Sequence, residues 1–99
     1  MTSATIVRER ASDGGWGFTL RVDDAATPHL HEATLSWADY NFWSPSGGDA
    51  PSAVMLAVVR FLLSRSAADD LPEHFDASLV RRLHRDADVV IPGLITAEG

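Results

Sequence analysis

The sequence predicts a single α+β domain, residues 1–99, in which a three-stranded antiparallel sheet carries two helices packed on one of its faces. Three observations support this order, β-β-β-α-α. Apolar and polar residues alternate early in the chain, residues 51–66 are apolar on nearly every helical face, and a shorter amphipathic stretch follows. A chain of 99 residues is too short to build two separate hydrophobic cores.

Residues 5–22 are predicted to form a β-hairpin. The second half alternates apolar with small or polar side chains, and residues 13–15 (Asp-Gly-Gly) supply a tight turn. The apolar face of this hairpin carries Val7, Glu9, Ala11, Trp16, Phe18, Leu20 and Val22. The opposite face, toward water, carries Arg8, Arg10 and Arg21. Glu9 fits the apolar face poorly and Ile6 fits the polar face poorly, which favours a β-bulge near Arg8.

Residues 29–43 are predicted to be a third extended segment. One face of the segment carries Ala33, Leu35 and Trp37. The alternation breaks at residues 38–39 and then resumes with the opposite phase. Such a break predicts either another bulge or a strand that leaves the sheet.

Residues 51–66 are predicted to form the main helix, with Asp49 as its N-cap and Pro51 in its first turn. The polar side chains of this helix form only a narrow stripe, made by Ser52, Arg60 and Ser64. A helix with so little polar surface has to be covered by more than one element of the chain or by a second subunit.

A second helix is predicted to begin after Asp76, its candidate N-cap, with three arginines near the C-terminal end where they complement the helix dipole. The tail from Val89 is apolar. Pro92 and Gly93 are expected to keep this tail out of a helix, so that it adds a short edge strand or packs across the helices.

The composition excludes several classes of chemistry, and no cofactor is predicted. The chain contains no Cys and no Lys, which excludes thiolate nucleophiles, cysteine-built zinc sites, Schiff bases and the lysine of a P-loop. The net charge of −6 and the pI of about 4.9 argue against nucleic acid and anionic membranes as partners.

The composition also predicts where the protein resides. The absence of Lys and Gln together with abundant Ala, Arg and Asp is typical of a GC-rich, bacterial genome, and moderate adaptation to high salt would give a similar composition. Residues 1–11 lack the apolar core of a signal peptide, and no apolar run is long enough to span a bilayer. We therefore expect a soluble, cytoplasmic protein.

Four aromatic residues lie within residues 37–43: Trp37, Tyr40, Phe42 and Trp43. In a strand, four such side chains cannot all point to one face, so part of this aromatic surface is expected to lie outside the core. We interpret Trp37 and Phe42 as core residues, and we leave Tyr40 and Trp43 open between core and contact surface. Trp43, next to the turn, is expected to be the most exposed of the four.

Two groups of polar side chains are further candidates. Arg81, Arg82 and Arg85 could hold a carboxylate or phosphate in bidentate fashion, although they also fit a solvated helix face paired with Asp86 and Asp88. His29 and His31 share one face of an extended chain and are weak candidates for a metal site, because sequence supplies no third ligand.

The leading functional hypothesis is a small non-catalytic binding or regulatory module that makes protein–protein contacts at the aromatic end of the third strand. The partner would be another protein or a second copy of the chain. None of the nine serines lies in a catalytic motif. The alternative is a binder of acidic small molecules, or a small enzyme, with a pocket between sheet and helices lined by Trp37, Tyr40 and Trp43.

Overall fold

The α+β class is confirmed by a computed structural model, which describes residues 3–23 and 28–98. Within these residues the sheet has four strands in the order β1-β2-β3-β4. The strands are β1 (Ser3–Ser12), β2 (Gly15–Asp23), β3 (Pro28–Ser36) and β4 (His74–Asp76). The helices are α1 (Trp37–Trp43), α2 (Pro51–Arg65), α3 (Leu79–Leu83) and α4 (Ala87–Glu98). The described residues therefore form four strands where three were predicted, and four helices where two were predicted.

The hairpin of β1 and β2 is confirmed, and its bulge lies where the sequence indicated. The register shifts between Ile6 and Arg8, which returns Ile6 to the face that packs against the core. Val7 occupies the bulge and is 57% exposed, so the prediction that it lies on the apolar face is wrong. The three arginines predicted to face water, Arg8, Arg10 and Arg21, are all exposed.

The third extended segment ends sooner than predicted. Strand β3 stops at Ser36, and the aromatic residues that follow belong to helix α1. The Ser36 hydroxyl caps this helix by accepting a hydrogen bond from the backbone N–H of Asp39 at 3.1 Å. At the same point the backbone N–H of Trp37 donates to the carbonyl of Gly14 at 2.9 Å, which ties the start of α1 to the hairpin turn.

The fourth strand lies directly before the predicted start of the second helix, where the sequence predicts no strand. Strand β4 runs parallel to β3, with Phe75 opposite Ala33 and Asp76 opposite Thr34. Asp76 is therefore not the N-cap of α3. Burial alone would raise the pKa of Asp76, but hydrogen bonds from the Thr34 hydroxyl and from Ser78 outweigh burial and hold this pKa below its usual value.

The main helix is confirmed as α2, with Pro51 at its start. Its N-cap is Ala50 and not Asp49. The Asp49 carboxylate instead accepts a hydrogen bond from the Ser44 hydroxyl at 2.6 Å. The buried side chains of α2 are covered within the chain, by the sheet on one side and by α1, α3 and α4 on the others. These buried residues are Val54, Met55, Ala57, Val58, Val59, Phe61 and Leu62.

The C-terminal tail is helical, contrary to the prediction from Pro92 and Gly93. Of the two alternatives for this tail, packing across the helices is right and the edge strand is wrong, because α4 packs against α2. Ile91 and Ile95 are 0% and 3% exposed, and full burial of each contributes about 1.5–3 kcal/mol. That gain offsets the one backbone hydrogen bond that proline cannot donate inside the helix.

Candidate functional site

Helix α1 divides its aromatic side chains between core and solvent in the reverse of the predicted way. Tyr40 and Trp43, which the sequence left open, are 6% and 1% exposed, whereas Trp37 and Phe42, predicted as core, are 51% and 55% exposed. The prediction of Trp43 as the most exposed of the four is wrong. The helical period brings Tyr40 and Trp43, three residues apart, to the inward face and turns Phe42 away from it. Trp37 stands at the first position of the helix, where it lies against Trp16 at the edge of the core.

The two buried aromatics of α1 have partners for their polar atoms. The Tyr40 hydroxyl donates to the backbone carbonyl of Asp49 at 2.5 Å. The Trp43 indole N–H donates to the Asp88 carboxylate on α4 at 2.9 Å. Because both polar groups are satisfied, these side chains fix α1 against the rest of the domain without a desolvation penalty.

Arg81 joins α1, α3 and α4 through ion pairs with the chain's own carboxylates. Its Nη1 donates to Asp39 at 2.5 Å, and its Nε donates to Asp88 at 2.8 Å. Its guanidinium carbon also lies 4.7 Å from the ring centre of Trp43 and 5.2 Å from that of Phe42. Burial would lower the pKa of Arg81, but the bonds to both carboxylates outweigh it and raise this pKa.

The structure separates the three candidate arginines. Arg81 is half-buried in the cluster described above, whereas Arg82 and Arg85 are exposed. The expected pairing with Asp88 is made by Arg81 alone, and Asp86 pairs instead with Arg65 of α2 at 2.6 Å. Two of the three guanidinium nitrogens of Arg81, Nε and Nη1, are thus engaged by the chain's own carboxylates.

Replacing Arg81 by lysine should lower the free energy of unfolding by about 1–2 kcal/mol, because one ammonium cannot bridge Asp39 and Asp88 as the planar guanidinium does. Urea denaturation of the variant measures this loss. Arg82→Lys is the matched control, and its effect should stay within about 0.5 kcal/mol. Equal effects of the two substitutions would contradict the bridging role of Arg81.

The exposed indole of Trp37 packs against the end of the hairpin. Its ring centre lies 4.5 Å from that of Trp16 on β2 and 6.2 Å from that of Tyr40. Trp16 is half-buried, and its partner across β1 is Ala11, which is too small to cover it. Trp16 and Trp37 therefore form a partly exposed pair of indoles beside β1.

His29 and His31 do lie on one side of β3, as predicted, and their ring centres are 6.3 Å apart. His31 is 5% exposed, and its Nδ1 donates to the carbonyl of Pro72 at 2.7 Å. Its Nε2 has no hydrogen-bond partner among the described residues. The Nε2 atom of His29 lies 3.4 Å from the Asp69 carboxylate oxygen Oδ1. Within residues 3–23 and 28–98, no group of three or more His, Asp or Glu side chains could hold a metal ion.

Two clefts lie elsewhere on the described surface. One, of about 320 Å³, opens between β1 and α2 and is lined by Ser3, Ala4, Arg60, Leu63 and Ser64. The other, of about 390 Å³, lies along β3 and β4 and is lined by Arg10, Glu32, Ala33, Thr34, His74 and Phe75. Neither cleft contains Trp37, Tyr40 or Trp43, so neither is the pocket that the alternative hypothesis predicted.

Sequence reasoning missed Asp39, and it predicted Asp88 as a partner of the arginines but not of Trp43. A local signal for α1 was present: Ser36 followed three residues later by Asp39 is a helix N-terminal pattern, because a capping hydroxyl and a first-turn acidic residue both favour a helix start. Asp88 had no comparable signal, since its approach to Trp43 depends on the packing of α4 against α1.

Comparison with models of protein families, with curated proteins and with solved structures finds no match to this chain, so its function has to be inferred from its own geometry. None of the helices within the described residues is long and apolar enough to cross a membrane.

Proposed function

We propose that the chain is a small non-catalytic binding module that makes protein–protein contacts through helix α1, with Trp37 and Phe42 as its anchors. The observation that supports this proposal is the exposure of two large aromatic side chains, 51% and 55%, on one seven-residue helix. Aromatic side chains of this kind supply much of the binding energy in protein interfaces.

The contacts that hold α1 in place favour binding, because the helix has little conformational entropy left to lose when a partner binds. Tyr40 and Trp43 hold the helix from the inside, and Asp39 is fixed by Arg81. Arg81 also lies over the Phe42 ring, which restricts that exposed side chain. A preorganised aromatic surface binds a partner more tightly than a mobile one with the same contact area.

The other exposed apolar side chains give weaker support for a contact surface. Leu30 and Val89 are 63% and 80% exposed, but single exposed aliphatic residues are ordinary on soluble domains. Trp37 differs because it extends a cluster with Trp16 and Tyr40. The difference makes Leu30 a suitable control position for tests of α1.

Two carboxyl groups of the described residues, Glu32 and Asp86, are poorly suited to act as general acids. Glu32 has a pKa below its usual value because it accepts a hydrogen bond from the Thr19 hydroxyl and pairs with Arg10. Asp86 has a lowered pKa because it accepts hydrogen bonds from Arg65. A carboxyl group that acts as a general acid needs the opposite shift.

The test is affinity capture of a partner from host lysate, followed by a binding assay with the isolated partner. Trp37→Ala and Phe42→Ala should each weaken that binding about tenfold or more, which corresponds to at least about 1.4 kcal/mol. Leu30→Ala, matched in exposure, should leave the affinity unchanged. A partner that binds all three variants as it binds the wild type would refute α1 as the contact surface.

A further inference from the structure

Strand β1 forms one edge of the sheet, and half of it projects beyond the helices. Among the described residues β1 pairs only with β2, so its other edge meets no strand. Ala4 and Ile6, before the bulge, pack against the core. Residues 8–12, after the bulge, are all exposed, including the two side chains that face the helix side of the sheet, Glu9 and Ala11.

An exposed strand edge offers backbone N–H and C=O groups to an additional strand. In an antiparallel pair such as β1 and β2, every second residue of β1 turns these groups away from its partner. Residues 8–12 keep a regular register with β2 and contain no proline. The segment can therefore accept hydrogen bonds from, and donate them to, an extended peptide.

The side chains of this segment indicate which peptide fits. Arg8 and Arg10 lie on the sheet face that no helix covers, while Glu9 lies on the other face. Arg10 forms an ion pair with Glu32, with its Nη2 2.6 Å from Oε1 of the carboxylate. Arg8 forms no ion pair with residues in 3–23 or 28–98. An added strand would meet positive charge on one face and negative charge on the other.

A second copy of β1 fits this edge poorly. In the antiparallel register that overlaps all of residues 8–12 with a second copy, Arg10 lies opposite Arg10. A shift of two residues toward the N-terminus keeps the same sheet faces aligned and places Arg8 opposite Arg10 and Glu9 opposite Glu9. Like charges directly opposite each other destabilise a strand pair. The same charges and the bulge at Val7 protect the edge from self-association.

We propose that residues 8–12 of β1 bind an extended peptide, from a partner protein, that adds a strand to the sheet and carries acidic side chains at alternating positions. The acidic side chains would lie beside Arg8 and Arg10, and Glu9 repels them from the other face, which sets the register. This inference rests on the proposed function and names the chemistry of its partner.

The aromatic surface of α1 gives such a peptide a second attachment. Ala11 lies between the incoming strand and Trp16, whose indole is in contact with Trp37. Neighbouring strands lie about 4.8 Å apart, so Trp16 is two such spacings from the incoming strand. A large apolar side chain of the peptide can therefore contact the Trp16 indole across the small Ala11. One partner could thus use both the edge of β1 and the exposed indoles.

The test is selection of a displayed library of random ten-residue peptides on the wild-type protein, followed by hydrogen exchange with the best binder. We expect enrichment of peptides with acidic residues at alternating positions, and slower amide exchange in residues 8–12 when the peptide is bound. Arg8→Glu should lower the affinity for the selected peptide about tenfold, because the attraction between Arg8 and the acidic side chains becomes a repulsion. Arg85→Glu, with the same change of net charge at another exposed site, should bind as the wild type does.

The proposal would be overturned by no enrichment, by enrichment without an acidic pattern, by protection confined to another part of the chain, or by equal weakening in Arg8→Glu and Arg85→Glu. Protection of residues 8–12 that depends on protein concentration without peptide would assign the edge to a second copy instead. A captured partner that Trp37→Ala loses and Arg8→Glu retains would refute the strand-edge proposal while leaving the role of α1 intact.

Discussion

Replacing Trp43 by alanine is expected to lower the free energy of unfolding by about 3–5 kcal/mol, as is usual when a buried tryptophan is truncated. The side chain is 1% exposed, donates to Asp88 and lies beneath the Arg81 guanidinium. A domain of this size has a total stability of about 5–15 kcal/mol. The substitution therefore removes a large fraction of that stability, and a loss of binding in this variant would report unfolding.

The measurement for Trp43→Ala is urea denaturation followed by circular dichroism. Trp37→Ala provides the comparison on the same helix, and its cost should be below about 1 kcal/mol because the side chain is half exposed. If the two substitutions destabilised the protein equally, α1 could not be oriented with Trp43 inward and Trp37 outward.

Replacing Gly15 by alanine should be the second large effect, on the order of 3 kcal/mol of lost stability. Gly15 has a φ of +156°, which side-chain-bearing residues rarely adopt. A Cβ atom there would also collide with the backbone carbonyl oxygen of Leu35 on the neighbouring strand β3. The collision is with backbone, so relief would require β2 and β3 to separate where α1 begins.

Gly14→Ala is the control for this prediction. Gly14 is in the same turn, but a Cβ atom at this position meets no other atom within 4 Å. Thermal unfolding of the two variants should show a marked fall in Tm for Gly15→Ala and a small change for Gly14→Ala. A small change in both would mean that the turn can rearrange to accept a side chain at residue 15.

The hairpin could be predicted from sequence because its determinants are local. The alternation along β2 and the glycines of the turn act between residues close in the chain. Even the bulge at Val7 followed from a local conflict, since Ile6 and Glu9 could not both suit one continuous register. Main helix α2 was equally clear, because its apolar residues extend over four turns and it begins with Pro51.

Helix α1 was missed because two local signals competed. Tryptophan, tyrosine and phenylalanine favour strands, and they continued a segment that was already extended. The capping pattern of Ser36 and Asp39 indicated a helix instead, and packing of Tyr40 and Trp43 against the core decided between the two. The sequence therefore predicted the segment that carries exposed aromatic residues, but the side chains it predicted as core are the exposed ones.

Strand β4 and helix α4 depend on contacts that no local pattern encodes. Three residues around Phe75 become a strand only because β3 offers a free edge beside them. Pro92 is tolerated within α4 because the helix buries Ile91 and Ile95 against the core. In both places tertiary packing overrides the local preference.

The parallel pairing of β3 with β4 has a consequence for the order in which the domain folds. Thr34 and Asp76 are 42 positions apart, and so are Asp39 and Arg81, whereas β1, β2 and β3 are joined by short connections. Closing a long loop lowers the chain entropy before the contacts that compensate for this loss have formed. Pairings between residues distant in the chain therefore form late. We expect β1–β3 to act as the folding nucleus and the Arg81 bridge to close last. The aromatic helix would then acquire its rigid support only in the final step of folding, so a partner that requires this support would discriminate against incompletely folded chains.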